Sequence, residues 1–138
     1  MSLHFKIITP DRTALEAEVD NIVVPGALGE MEVLTQHSNL ITIIIPGELR
    51  YRMAGSGEEH QLVVGSGVFQ IEHDRVILTT DLALETSDID EKSVEEAIAA
   101  AQEALRQQEK LTVEERRRLD TNLAKQLAIL EFNRKYKR

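Results

Sequence analysis

The chain has 138 residues, no cysteine, 42% hydrophobic and 4% aromatic content, and a formal net charge of −8. That length sets one or two small domains, the lack of cysteine removes disulfides, thiolate metal sites and thiol nucleophiles, and the net acidity argues against general nucleic-acid binding. No apolar run nears the roughly 20 residues of a membrane helix, and the N-terminal MSLHFKII lacks the apolar core of a signal peptide, so a soluble or peripheral, intracellular protein with no direct membrane insertion is expected.

Leu3–Thr9 alternates Leu3, Phe5 and Ile7 with His4 and Lys6, the period of a strand, and Pro10-Asp11-Arg12 signals a turn. Leu15–Val24 holds one or two strands, ending at Pro25-Gly26. A short strand is expected over Gly29–Leu34 and a buried one over Leu40–Ile45, closed by Pro46-Gly47. Glu48–Met53 alternates cleanly, Ala54-Gly55-Ser56-Gly57 reads as a hairpin tip, and strands follow at His60–Val64, Val68–Glu72, Arg75–Thr80 and Leu82–Glu85. Proline falls only at turns, as sheets require. Short strands punctuated every 8–12 residues or so predict an all-β sandwich of about nine or ten antiparallel strands.

Leu84–Asp90 marks a change of period, from two to between three and four. The division expected is a sandwich over 1–87 and an α-helical hairpin over 88–138. Asp88 fits an N-cap, with Glu91 three residues on, and helix one runs from about Ile89 to Gln108 with Val94, Ala97, Ile98, Ala101 and Leu105 on one face. Thr112 with Glu115 opens helix two, which runs to about Arg134 with Leu119, Leu123, Leu127 and Leu130 as its stripe. The short link near Glu109–Thr112 pairs the helices antiparallel.

Charge divides the chain. Residues 1–105 carry 6 Lys/Arg and 19 Asp/Glu, whereas residues 106–138 carry 10 and 5. A basic arm of this kind holds either the chain's own acidic part or an acidic partner. Helix one's alanine-rich stripe buries little area, and attraction between an acidic and a basic helix is screened by salt. Both a fixed hairpin and a detachable one fit these facts. Straightened, its residues would reach roughly 75 Å at 1.5 Å per residue.

Little in the sequence is catalytic. His4, His37, His60 and His73 are scattered without metal-ligand spacing. Gly65-Ser66-Gly67 lacks the lysine and long following helix of a phosphate loop, and Ser66 lacks the G-x-S-x-G elbow. Glu30/Glu32 and Glu58/Glu59 read as solvated carboxylates. Arg116-Arg117-Arg118 reads either as a solvated helix face or as a site for an acidic or phosphate-bearing partner.

Six stretches, in this order and spacing, carry a family resemblance: G-A-L-G-E-M-E-V-L at 26–34, His37, P-G-E-L-R at 46–50, G-S-G at 65–67, V-I-L-T-T-D-L-A at 76–83 and D-I-D-E at 88–91. Followed by a helical hairpin, they resemble the epsilon subunit of F-type ATP synthases over essentially the whole chain. The resemblance implies a non-catalytic rotor subunit of the central stalk in a proton-translocating synthase. Its partners would be the gamma subunit, the c-ring and the alpha/beta hexamer. The hairpin would fold against the sandwich or extend toward that hexamer and suppress ATP hydrolysis. The implied location is peripheral, on the cytoplasmic face of the bacterial inner membrane or, alternatively, the stromal face of the thylakoid.

The resemblance places Glu30 toward the c-ring and His37 toward gamma. It assigns Arg116, Arg117, Arg118 and the terminal basic run, Arg134, Lys135, Lys137 and Arg138, to an inhibitory arm meeting beta. Two departures stand out. Where the family has G-V-L-P-G-H-A-P, Glu32–Asn39 has neither the prolines nor the glycines, so a loop of different shape is expected. Some members bind ATP through an I/L-D-x-x-R-A segment; here Ile89 and Asp90 keep its start, but Ser93 and Val94 replace the arginine and alanine. Weak or no nucleotide binding is expected, with no cofactor, metal or catalytic residue. The rival reading is a free-standing β-sandwich binding module, against which stand the missing aromatic platform and the length given to helices. An enzyme ranks third, for want of a nucleophile–base pair.

Overall fold

The computed structural model describes residues 1–137; Arg138, counted above with the basic run, lies outside the described residues. The chain forms two compact units, Met1–Glu85 and Thr86–Arg138.

The first unit contains nine strands: β1 (Leu3–Thr9), β2 (Arg12–Gly26), β3 (Gly29–Leu34), β4 (Leu40–Ile44), β5 (Gly47–Met53), β6 (Glu59–Val64), β7 (Gly67–Glu72), β8 (Arg75–Thr80) and β9 (Ala83–Leu84). They join in one hydrogen-bonded sheet ordered β1-β8-β7-β4-β2-β5-β6-β9, with β3 on β2. The pairings are antiparallel except one: β1 runs parallel to β8 while also pairing β2. The segment read as one or two strands is the single 15-residue β2, which reaches β1, β3, β4 and β5 along its length. Pro25 sits inside β2 rather than at a turn, and its carbonyl accepts from Ile45 N at 2.9 Å. Since Pro25 lies near the strand's end, the missing N–H costs little pairing.

Alternation sends Leu3, Phe5, Ile7, Val19, Ile22, Val24, Leu49, Phe69, Ile71, Val76 and Leu78 into one aliphatic core. Phe5 meets Tyr51 edge-on, with ring centroids 6.1 Å apart. With so few aromatic side chains, close packing of branched aliphatics supplies most of the cohesion.

On the outer surface, His4 bridges two carboxylates of β2: Nδ1 to Glu18 and Nε2 to Glu16, both at 2.8 Å, with Ser2 Oγ donating to Glu18 at 2.6 Å. Ionised carboxylates only accept, so both ring nitrogens carry protons in this arrangement. Glu18 and then Glu16 hold the imidazolium above its ordinary pKa, and Ser2 and His4 hold Glu18 below its own. A raised histidine pKa stabilises fully below about 6.5, the unfolded value, and the effect fades as pH rises through the folded value. His4→Ala is therefore expected to lower Tm measurably at pH 6 and negligibly at pH 9. Thermal melts at the two pH values check this.

The second unit opens with a 3-10 turn over Thr86–Asp88, followed by α1 (Glu91–Arg106), a 3-10 turn at Gln108–Lys110, and α2 (Val113–Tyr136). Ile89 N bonds Thr86 O at 3.2 Å, so a tight turn occupies the predicted first turn of helix one and the N-cap is Asp90, not Asp88. Its C-terminal end is Arg106, short of Gln108. Val94, Ile98 and Ala101 are buried, as expected of α1's stripe. Thr112 caps α2: its hydroxyl accepts from Glu115 N at 3.0 Å and donates to that residue's carboxylate at 3.1 Å. At the far end, Arg134 reaches Glu91 and Glu95 at the start of α1, both at 3.0 Å, as antiparallel packing requires.

The leucine stripe of α2 differs from expectation. Leu119, Leu123 and Leu130 are half-buried and Leu127 is exposed, whereas Ile129, Phe132 and Asn133 are buried. At roughly 100° per residue, these two sets lie on different sides of the helix. The leucine repeat alone could not rank them.

Candidate partner interface

At the β2–β3 turn, Ala27 and Leu28 are followed by Gly29 at φ 128°, a conformation that side chains resist. Leu28 is fully exposed at this tip. Two positions on, Glu30 stands on β3 beside β2, where its register partner is Pro25. Its carboxylate accepts from both terminal nitrogens of Arg50, at 3.2 and 3.3 Å, and Arg50 also reaches Glu48 at 3.4 Å. Glu30 is thus exposed but oriented, because a planar guanidinium fork fixes a carboxylate's attitude. The P-G-E-L-R stretch supplies that fork.

His37 lies at the opposite end of β3, in the loop leading to β4. Its Nδ1 donates to Ser38 O at 2.8 Å, fixing the ring. Gln36 adopts φ 65° where the family pattern has glycine, at about 1–2 kcal/mol of backbone strain. Two polar bonds anchor the loop: Gln36 N to Asp74 Oδ1 at 2.8 Å, and His73 N to Asn39 Oδ1 at 3.2 Å. The lost prolines and glycines are thus accompanied by side-chain ties to the β7–β8 turn.

Between these ends the structure reveals a surface that the sequence reading missed. Leu40–Ile45 was expected to be a buried strand, yet on β4 Ile41 and Ile43 are 67% and 62% exposed and Ile44 is buried. The register extends their row: Ile43 opposes Val68, which opposes Thr79, and Ile41 opposes Gln70, which opposes Ile77. Val68 and Ile77 are exposed too. A sheet face with this many β-branched side chains in water is uncommon unless something covers it. The available signal was alternation: in Leu40–Ile44 both strand faces are apolar or nearly so, and only Thr42 breaks the run.

On α2, Arg116, Arg117 and Arg118 are exposed, with Arg118 bonded to Glu114 at 3.0 Å. Arg117, Arg118, Thr121, Asn122 and Lys125 line one shallow depression. Arg134 is held by Glu91 and Glu95, and Lys135 sits 5.1 Å from the Tyr136 ring centre. The triplet and the terminal pair therefore lie near opposite ends of a 24-residue helix. At the start of α1, Ile89 is buried, and Asp90 Oδ2 accepts from Ser93 Oγ at 2.7 Å, so the residue in place of the family's arginine engages this carboxylate. Among the described residues no His, Asp and Glu groups gather as metal ligands, and no helix is long and apolar enough to cross a membrane. Gly65-Ser66-Gly67 proves to be a strand connection, closed by Thr80 Oγ1 donating to Ser66 O at 2.9 Å.

Comparison with known proteins sets the class first. Residues 2–86 match the family model described as "ATP synthase, Delta/Epsilon chain, beta-sandwich domain". The chain is 31% identical to the ATP synthase epsilon chain of Laribacter hongkongensis over 136 residues, covering 97% of this chain and 96% of that one. It is 35% identical to the epsilon chain of Anaeromyxobacter sp. (strain Fw109-5) over 105 residues, covering 76% and 78%. A chain in the Euglena gracilis mitochondrial ATP synthase shares the fold, with TM-score 0.74, 21% identity and coverage of 93% and 79%. So does one in the Tetrahymena thermophila mitochondrial ATP synthase central stalk/c-ring, with TM-score 0.64, 11% identity and coverage of 96% and 97%. The fold and the matched domain define a sandwich subunit of the delta/epsilon class. Within that class, the chain belongs to the ATP synthase epsilon-chain family, a non-catalytic component of the stalk.

Proposed function

We propose that this chain couples rotation to ATP synthesis by packing its first unit against the gamma subunit and the c-ring, at the cytoplasmic face of a bacterial inner membrane, and that its second unit restrains ATP hydrolysis. The observation that carries this reading is the uncovered apolar face of Ile41, Ile43, Val68 and Ile77. Its β-branched side chains present a firm, pre-shaped surface to a partner. Glu30 at one end of β3 is the contact for the c-ring, and His37 at the other end faces gamma. Arg50 holds the Glu30 carboxylate ready for a polar loop.

Arg116, Arg117 and Arg118 offer a concentrated positive surface to acidic segments of beta, with Arg134 and Lys135 joining only if Arg134 leaves Glu91 and Glu95. Nucleotide does not control this step: Asp90 is engaged by Ser93, and no guanidinium stands where the ATP-binding members have one. Isothermal titration with ATP is expected to show no micromolar binding.

The reading is tested on the assembled complex. Tagged chain is expected to bring down gamma stoichiometrically, and truncation after Thr86 is expected to keep that association while raising ATPase activity. Failure to recover gamma overturns the stalk role. Unchanged ATPase activity overturns the inhibitory role alone.

A further inference from the structure

The last two turns of α2 contain a polar group in an apolar place. Ile129 and Phe132 are each 3% exposed, and Asn133 beside them is 1% exposed. Neither Asn133 Nδ2 nor Oδ1 has a hydrogen-bond partner. A carboxamide can make up to four hydrogen bonds, and burying one with none made opposes the buried arrangement. Its backbone is not at fault: the Asn133 carbonyl accepts from Lys137 N at 2.8 Å, an ordinary helical bond. The very next residue, Arg134, makes the two surface ion pairs to α1, and exposed pairs are individually weak and sensitive to salt. A costly buried amide and a weak exterior fastening thus occupy adjacent positions.

We infer that Asn133 is a built-in release element: it holds the C-terminal turns of α2 close to the point of letting go. Any arrangement that hydrates the amide regains its hydrogen bonds, whereas leucine, with the same branching at Cγ but no polar atoms, would gain by staying buried. The inference rests on the proposed stalk role only for what release accomplishes, namely freeing Arg134 and Lys135 for a partner. The release itself is a property of the isolated chain.

Hydrogen exchange of the full-length chain tests it. At pH 7, Asn133→Leu is expected to slow exchange of the amides over 129–136 by about 5–30-fold, the range corresponding to one or two kcal/mol. Asn133→Asp, which buries a charge instead, is expected to speed it by at least about 10-fold. Unchanged or faster exchange in both Asn133→Leu and Asn133→Met overturns the inference, since the amide would then be no liability. Circular dichroism of each variant confirms retained helix, and Asn133→Met, which is apolar but flexible, repeats the test should leucine fit poorly. In the assembled complex Asn133→Leu should also raise ATPase activity by retaining the arm. Slowed exchange without that rise upholds the release element and counts against the inhibitory reading.

Discussion

Replacing Gly67 by alanine is expected to destabilise the sandwich by about 3 kcal/mol, at the upper end of overpacking costs. For a domain of this size that lowers Tm by more than about 10 °C. The reason is steric. Gly67 pairs with Ile44 on one side and Thr80 on the other, and a Cβ there would collide with the Thr79 carbonyl oxygen and lie 3.1 Å from Thr80 Cα. Backbone cannot swing aside without breaking the β7–β8 ladder. Gly65→Ala gives the contrast. Its Cβ would meet the Asp81 carboxylate, side-chain atoms rather than backbone, and then Leu82 Cβ at 3.3 Å. That variant is expected to lose less than half as much. Denaturant melts of the two variants, read by midpoint at constant slope, check both the size and the order. Equal losses would mean that the G-S-G segment tolerates a methyl group equally at either end, contrary to the geometry.

Ile43→Asp is expected to separate folding from assembly. Ile43 is 62% exposed, so the free chain should lose less than about 1 kcal/mol, the span of strand propensities. Against gamma the same change would place an unpaired carboxylate in an apolar contact, which costs several kcal/mol. Affinity is then expected to fall at least about 100-fold. Surface plasmon resonance with purified gamma, beside a thermal melt of the variant, measures both quantities. A variant that binds as tightly as the parent would remove the β4–β7–β8 face from the interface. Phe69, directly inward on β7, is the control for a core position: truncated to alanine it should cost about 3–5 kcal/mol.

The sequence made some parts of this architecture legible and hid others for identifiable reasons. Alternation in Leu3–Thr9 and Glu48–Met53 located those strands and their inward faces, because one side of each meets a core and the other meets water. The Thr112–Glu115 capping pair located the start of α2. The face formed by Ile41 and Ile43 was hidden because a strand apolar on both sides reads as buried, whether its outer side meets its own chain or a partner. Asp88 was the expected cap; the Thr86–Ile89 turn that displaced it depends on backbone geometry. Glu30 and His37 were singled out only through family resemblance, and the arginine triplet first through its clustered charge. As isolated letters they are surface residues, and what sets Glu30 apart, the Arg50 clamp, joins positions twenty residues apart. Asn133 left no trace in the pattern, since asparagine on a helix is usually solvated.

The first strand has a consequence for how this chain is made. β1 lies between β2, which follows it at once, and β8, where His4 pairs with Arg75. A nascent chain leaving the ribosome can therefore form the β1–β2 hairpin early, but its other edge stays open until about sixty residues beyond Val19 have emerged. Contacts so distant along the chain slow folding to the millisecond-to-second range of sandwich proteins. During that interval an unpaired strand is open to mispairing. Completion of the circuit by β8 ends the exposure, making residues 75–80 the segment whose arrival commits the whole first unit.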